Sequence, residues 1–343
     1  MMGFKTIEYR GRPLKIHKAR LAPDFGSKTV LVTDTWDYID LWLKRKKFSR
    51  ARFFWDQAHQ FFSATKLLPK ESSPLTAYYC MLNAVKALLV VKQIKLTDLH
   101  GVSGGSIGKK CSISNEYVVF KRSGVLSDLC ALLGESYNEE KYSLRDLLYN
   151  LVYIHRAFNL SLPNLPELFI PITNPQIVRS MTTDKSWFCA TLEGNYASQH
   201  SINKLGSSFE QDTSVTNAFV VRRKKRFAWV PQRKKQSLID YQKYHASLHE
   251  RLSYIYSSER LWYLKRAGVQ NGLINRSSLT IAFATMHRLS ELSRYSPEQL
   301  AKHFQGRYNW LLSEFLAVAP LQFLDAISSE MTGHEFMPPG RAN

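Results

Sequence analysis

The feature that most restricts the fold is a stretch that is apolar on nearly every side of a helix. It runs from Tyr78 to Val91, and Asn83 and Lys86 are the polar residues within it. Pro74 suits the first turn of such a helix, where the missing amide hydrogen is not needed. A helix that is apolar all round must be covered by other elements. The chain therefore has to build a core around this segment.

The covering partner is predicted just upstream, in a helix over Ser49–Lys66. Phe53, Phe54, Phe61 and Ala64 share one broad face at helical spacing. The two segments together predict a buried helix hairpin.

The rest of the chain suggests a mainly α fold within the α+β class. Short apolar runs at Leu168–Ile170, Trp187–Leu192 and Ala218–Val221 are typical of strands, and helical spacing resumes from Ser237. We expect five segments: an N-terminal arm (1–36), an N-terminal helical part (37–162), a small β-rich basic insert (163–236), a C-terminal helical part that packs on the first (237–330) and a flexible tail (331–343).

Composition places the chain among folded proteins, with 44% hydrophobic and 13% aromatic residues in 343. No export signal or long uncharged apolar run is recognised, so we expect a cytoplasmic protein without a membrane partner. The cysteines are scattered and form no zinc-binding pattern: Cys80, Cys111, Cys130 and Cys189. We expect no metal and no cofactor.

The formal net charge is +19, from 47 basic and 28 acidic residues. Such a field attracts polyanions, and RNA or DNA is the favoured partner. An acidic protein or a membrane surface would suit the same field.

Two basic clusters are predicted to bind nucleic acid. The first includes Trp229, which is expected to stack on bases, and the second precedes the first hairpin helix. A solvated strand edge would give the same pattern in the first cluster. The first cluster is Arg222, Arg223, Lys224, Lys225, Arg226, Trp229, Arg233, Lys234 and Lys235, and the second is Lys44, Arg45, Lys46 and Lys47.

Several short motifs are spread along the chain: Ala51-Arg-Phe-Phe54, Pro74-Leu75, Tyr78 to Leu89, His100-Gly101, His287-Arg-Leu-Ser290 and Ser293 to Glu298. Together they resemble the YaaC-like family of bacterial proteins. The resemblance covers about Ser49–Ala326, and it implies a fold but no settled activity.

The first hairpin also resembles HEPN domains, helical modules of bacterial toxin and antiphage systems. Active members cut RNA with an Arg and a His a few residues apart, and this implies Arg52 and His59 as catalytic residues. Arg10 or Arg12 with His17 has similar spacing. The resemblance implies a HEPN-like helical bundle.

Four further polar residues are candidates for a site: Asn83, Lys86, His100 and Arg294. Asn83 and Lys86 are favoured as satisfied core residues, since buried polar groups need partners. His100 lies in a Gly-rich segment, where a side chain can approach a phosphate closely, but a plain turn residue is the favoured interpretation.

The favoured hypothesis is a YaaC-like protein that binds RNA or DNA, within an antiphage defence assembly. One alternative is a metal-independent HEPN-type endoribonuclease, completed across a homodimer. Another is a scaffold subunit that docks an acidic protein partner.

Overall fold

The computed structural model describes residues 4–108, 110–136 and 138–339. They form two compact units that interleave along the chain. The sheet unit contains the residues up to Val30, Leu168–Gln270 and the residues from Gly333. The helical unit contains Leu31–Glu167 and Asn271–Thr332. Each unit thus joins segments that are far apart in sequence.

The strands of the described residues are β1 (Phe4–Thr6), β2 (Glu8–Tyr9), β3 (Arg12–Pro13), β4 (Val30–Leu31), β5 (Val102–Ser106), β6 (Glu116–Phe120), β7 (Glu140–Ser143), β8 (Phe169–Ser180), β9 (Lys185–Thr191), β10 (Phe209–Gln211), β11 (Val220–Arg223), β12 (Phe227–Ala228), β13 (Leu252–Ile255), β14 (Leu261–Lys265) and β15 (Phe336–Met337). The helices are α1 (Thr35–Arg45), α2 (Ser49–Leu67), α3 (Ser73–Val91), α4 (Val125–Leu132), α5 (Leu144–Tyr149), α6 (His155–Ser161), α7 (Gln199–Lys204), α8 (Lys234–Leu248), α9 (Ser278–Tyr295), α10 (Pro297–Gln305) and α11 (Asn309–Thr332).

The sheet unit is built on an antiparallel sheet that curls into a half-barrel. Within the described residues it has eight strands, in the order β10-β11-β9-β8-β14-β13, with β1 beside β8 and β12 beside β9. The long strand β8 pairs with β14 through Phe169–Ile172 and with β9 from Gln176 onward. Its register shifts between Thr173 and Gln176, and such a bulge bends a strand and increases its twist.

The prediction of a mainly helical bundle with a small β-rich insert is wrong. Helix makes up 45% and strand 19% of the structure, which is a substantial mixture of α and β. The sheet also takes β1 from the predicted arm and β13 and β14 from a segment expected to be helical. These strands pair with residues far away in sequence. A local pattern does not show such pairing, because strand stability depends on cross-strand neighbours.

The helical unit is organised around α3, which packs against α2, α9 and α11. Most of its residues are buried, as an all-round apolar helix requires. The predicted hairpin of α2 and α3 is therefore confirmed. A three-stranded sheet, in the order β5-β6-β7, belongs to the same unit.

By length and composition alone, α3 and α11 are apolar enough to cross a membrane. In the structure, 67% of the apolar window of α3 and 61% of that of α11 are buried inside the protein. Because the core helices of a globular protein pass the same test, these helices are weak evidence for a membrane role.

The C-terminal residues from Gly333 pack with the sheet unit. β15 pairs with β4, and Phe336 is fully buried. This strand lies in the segment 331–343, for which a flexible tail is predicted from the sequence. Residues 340–343 of that segment lie outside the described residues.

Candidate functional site

The residues that carry the family resemblance come together in the helical unit. Tyr78, Tyr79 and Lys86 lie on α3, and His287 and Arg294 lie on α9. His100 follows α3 and lies beside both helices, with its ring 5.5 Å from that of Tyr78 and 5.9 Å from that of His287. We call this group of six residues the His100 site: Tyr78, Tyr79, Lys86, His100, His287 and Arg294.

Two aromatic side chains of α2 support the α3 part of the His100 site. Tyr79 and Lys86 are seven residues apart and share one face of the helix. Phe61 stacks on Tyr79 with ring centroids 5.3 Å apart. Phe54, also seven residues from Phe61, lies under the Lys86 ammonium at 5.6 Å. The α2–α3 hairpin therefore holds both polar side chains in place.

The backbone around His100 is fixed by the close approach of Gly101 and Gly124. Gly101 has a φ of +78°, and a Cβ there would lie 2.9 Å from the amide nitrogen of Leu126. This position therefore favours glycine on both conformational and steric grounds. The carbonyl of His100 accepts a hydrogen bond from that same amide at 3.0 Å, in the first turn of α4. His100 thus stands on a rigid support.

The imidazole of His100 is uncharged at neutral pH. Its half-buried position lowers its pKa first, and the nearby charges of Lys86 and Arg294 lower it further. Its Nδ1 makes a short hydrogen bond with the hydroxyl of Tyr78. Tyr78 is buried, and burial raises the pKa of its hydroxyl, so this group keeps its proton.

This hydrogen bond decides which ring nitrogen of His100 carries the proton. Among the described residues, Nδ1 is the hydrogen-bond partner of the Tyr78 hydroxyl, and a buried hydroxyl needs an acceptor. The hydroxyl therefore donates to Nδ1. A neutral imidazole that accepts at Nδ1 carries its hydrogen on Nε2. His100 thus offers Nε2–H as a hydrogen-bond donor.

His287 lies behind this pair and is also uncharged. Burial, helped by the proximity of His100, Arg288 and Arg294, lowers the pKa of His287 to about 3. Its Nδ1 is 3.8 Å from Glu291, but a neutral imidazole forms no ion pair there at neutral pH. His287 therefore adds a polar surface without adding a positive charge.

The positive charges of the His100 site come from Lys86 and Arg294. Arg294 is exposed and lies over the rings of Tyr79 and Tyr295, at 5.7 and 5.2 Å from their centroids. It donates hydrogen bonds to both hydroxyls. In the described part of the chain, neither cation has a carboxylate within ion-pair distance. Both charges are available to an anion.

A buried ionic network holds α9 in position beside the His100 site. Glu116 on β6 is fully buried and accepts two hydrogen bonds from Arg288, at 2.7 and 3.1 Å. Burial alone would raise the pKa of Glu116, but hydrogen bonds from His303, Arg288 and Ser106 lower it overall. The carboxylate is thus charged and compensated, as a buried ion must be.

The densest basic cluster of the sequence is placed differently. Arg222 pairs with Glu210 at 2.8 Å and with Asp212 at 3.3 Å. Arg223 is buried and donates to the backbone and hydroxyl of Ser247. Arg226 lies over the ring of Trp187 and reaches Glu210 at 3.3 Å. Arg222, Arg223 and Arg226 are therefore engaged inside the sheet unit.

The other members of this cluster divide into buried and exposed residues. Trp229 is buried in the core of the sheet unit, so its ring does not face solvent. The exposed members are Lys224, Lys225, Arg233, Lys234 and Lys235. These five cations remain available for long-range attraction. The second basic cluster, Lys44 to Lys47, is exposed throughout at the end of α1.

Arg52 and His59 both lie against α1, and each has a partner of its own. Arg52 forms two hydrogen bonds with Asp40, at 2.6 and 3.1 Å. The ring of His59 stacks on Trp36 with centroids 4.8 Å apart. Their catalytic role stays a prediction.

Asn83 is buried and donates to the carbonyl of Tyr79 at 2.8 Å, as expected of a satisfied core residue.

Sequence reasoning singled out Lys86, His100 and Arg294 one by one, and it did not identify Tyr78 and His287 as members of a site. Both belong to the motifs behind the family resemblance, which was the available signal. Among the described residues, no group of three or more His, Cys, Asp or Glu side chains is placed to hold a metal ion.

Comparison with known proteins places the chain in one family. A profile of the YaaC-like protein family matches residues 17–331. No curated protein and no solved structure gives a significant match. The HEPN resemblance finds no support in these comparisons.

Proposed function

Since the chain belongs to the YaaC-like family, we propose that this family member binds single-stranded nucleic acid and holds a backbone phosphate at the His100 site. The observation that carries the proposal is an uncharged Nε2–H donor on His100 beside two cations, Lys86 and Arg294, that have no carboxylate partner in the part of the chain that the structure describes. Hydrogen bonds from charged donors to phosphate are short and strong, and arginine is well suited to them.

The aromatic residues of the site favour a nucleic acid over a smaller anion. Tyr295 is 71% exposed and adjoins Arg294, whose guanidinium lies over its ring. An exposed aromatic ring beside a phosphate-binding cation is the usual arrangement for stacking an unpaired base. A duplex hides its bases from such a ring, so single-stranded substrates fit better.

The wider charge distribution supports the same proposal. The net charge of +19 attracts a polyanion, and the exposed cations of Lys44 to Lys47 extend the field in the helical unit. This long-range term raises the association rate and the non-specific affinity, whereas the His100 site provides a defined contact.

The hydrogen bond of Tyr78 favours binding over cleavage. A base that removes the 2′-hydroxyl proton of RNA needs an unprotonated ring nitrogen facing the substrate. Because Nδ1 of His100 accepts from Tyr78, Nε2 carries a hydrogen and acts as a donor. The endoribonuclease alternative would require the opposite tautomer or the pair Arg52 and His59. A role in antiphage defence stays a prediction.

The test is fluorescence anisotropy with a labelled single-stranded RNA and with DNA of the same sequence, in the absence of added metal. We expect Lys86→Gln and Arg294→Gln each to weaken binding about tenfold, because each removes one charged phosphate contact. His100→Leu should weaken it by a similar factor. The RNA-to-DNA ratio identifies the preferred nucleic acid.

Two matched variants control for the loss of a stacked cation. Arg307 lies over the ring of Tyr308, as Arg294 lies over that of Tyr295, and Lys70 lies over Phe304 as Lys86 lies over Phe54. Arg307→Gln and Lys70→Gln should bind RNA nearly as the unmodified protein does. Equal losses of RNA affinity in the site and control variants would mean that the cations of the His100 site contribute only non-specific charge, and this would contradict the proposal.

A denaturing gel of the same mixtures separates binding from cleavage. Intact RNA with raised anisotropy supports the binding proposal. Fragments that disappear with Arg52→Ala or His59→Ala would establish the endoribonuclease alternative instead. Weak binding that does not decline with salt would favour a scaffold that docks an acidic protein, because phosphate binding falls steeply with ionic strength.

A further inference from the structure

The sheet unit contains a cavity that the nucleic-acid proposal does not use. Its volume is about 310 Å³, which is the size of a small-ligand pocket. Its lining comes from the N-terminal segment, including Arg12, His17 and Phe25, and from Arg260 and Glu335. These residues belong to one compact unit, so the cavity is a feature of that unit alone.

The lining carries more positive than negative charge. Glu335 is buried and pairs with Arg260 at 2.7 Å. Arg12, Lys15 and Lys28 also line the cavity and are exposed. Within the described residues these three cations have no carboxylate partner. With Arg260 they make four cations against two acids, Asp24 and Glu335, so the lining has a net positive charge.

His17 adds a buried hydrogen-bond donor. Its side chain is 5% exposed, and its Nδ1 accepts a hydrogen bond from the amide of Ala19 at 2.9 Å. Burial is the main cause that lowers the pKa of His17, so the ring is neutral and carries its hydrogen on Nε2. In the described part of the chain, this Nε2 has no hydrogen-bond partner.

An orphaned buried donor costs free energy unless a ligand or water satisfies it. His17 lines the cavity together with Arg12, Lys15 and Lys28, which have no carboxylate partner among the described residues. An anion with several acceptor oxygens would supply both a hydrogen-bond acceptor and negative charge. A doubly charged phosphate supplies more of both than a single carboxylate does.

A second cavity of about 410 Å³ shares Pro13, Lys15, Ile16 and Arg260 with the first. Its other lining includes Pro175 and Trp262, which are less polar. The shared residues make the two cavities neighbours. A ligand with a charged end and an apolar end would fit the pair.

We propose that the sheet unit binds a small phosphomonoester. Its phosphate lies beside His17, Arg12 and Lys28, and its organic part lies in the cavity lined by Pro175 and Trp262. This site is separate from the His100 site and takes a different class of ligand.

Isothermal titration calorimetry of the full chain with inorganic phosphate and with phenyl phosphate tests the proposal. Both should bind, and phenyl phosphate should bind more tightly because its ring fills the second cavity. Arg12→Gln and Lys28→Gln should each weaken phenyl phosphate binding about tenfold, since each removes one charged contact. Both residues are exposed, so these variants are expected to fold.

Two control variants make the outcome decisive. Lys185→Gln and Lys243→Gln each remove an exposed lysine of the same unit outside both cavities, and both should leave phenyl phosphate affinity unchanged. Absence of saturable binding by either probe, or equal weakening by Lys185→Gln, would overturn the site. Equal affinities for the two probes would overturn the assignment of the organic part.

Discussion

The Arg222–Arg226 run and the His100 site show that a dense run of charge and an available charge are different things. The run is the most basic part of the sequence, yet Glu210, Asp212 and Trp187 engage Arg222 and Arg226, and Arg223 is buried against Ser247. The His100 site contains two cations, and within the described residues neither has a carboxylate partner. The difference teaches that the fold neutralises the obvious cluster and leaves a dispersed one free. The following predictions test that contrast.

The largest effect is expected where a cation is buried with its partner. Arg288→Met should lower the free energy of unfolding by about 3–5 kcal/mol, because it removes the arginine that pairs with the fully buried carboxylate of Glu116. Urea unfolding followed by tryptophan fluorescence measures this change. Arg52→Met, which breaks the exposed pair with Asp40, is the matched control and should have little effect. If Arg288→Met and Arg52→Met lowered the free energy of unfolding equally, burial would not determine how much an ion pair contributes to stability.

The second effect concerns the uncharged interior of the His100 site. His287 has a pKa of about 3 when folded, compared with 6.5 for an unperturbed histidine. Below pH 6.5 the imidazole of His287 is therefore protonated in the unfolded chain but not in the folded chain. The free energy of unfolding consequently falls as the pH drops towards 3. By pH 4.5 this group should account for about 3 kcal/mol of that loss.

His287→Asn should remove this contribution, so the free energy of unfolding should fall less steeply between pH 6.5 and 4.5. Unfolding curves at several pH values measure the slope. His200→Asn, at an exposed position, is the control and should keep the original slope. Parallel profiles for all three proteins would contradict the buried, neutral state of His287.

The third effect tests the aromatic part of the His100 site. Tyr295→Ala should weaken single-stranded RNA binding about tenfold, because base stacking on an exposed ring contributes roughly 1–3 kcal/mol. Tyr295→Phe keeps the ring and should bind within about twofold of the unmodified protein. Anisotropy titrations measure both. If the two variants behave alike, the hydroxyl that bonds to Arg294 matters more than the ring.

The smallest effect separates lysines from arginines within the basic run. Lys224→Gln removes an exposed charge and should reduce the salt dependence of RNA binding by up to about one unit of slope. Arg222→Gln removes a charge already paired with Glu210 and should change the slope less. A larger change in slope for Arg222→Gln would show that the arginines of the run contact RNA, and this would contradict the contrast with the His100 site.

The helix hairpin follows from the sequence alone. Tyr78–Val91 is apolar on nearly every side, so it had to be buried, and Ser49–Lys66 was the adjacent segment able to cover it. The β-forming runs at Leu168, Trp187 and Ala218 were also visible, because strand propensity and turn signals are local properties. The family followed from short motifs that lie along α2, α3 and α9.

The pairing of strands in the sheet, and the choice of which cations have acidic partners, depend on the tertiary structure. Glu210 lies directly opposite Arg222 in the pairing of β10 with β11, although no acid occurs between Asp212 and Asp240 in the sequence. Likewise, Tyr78, His100 and His287 are more than twenty residues apart from one another in sequence and meet only when α3 and α9 pack. Strand register and helix packing depend on long-range contacts, and these determine which charges are neutralised and which remain free.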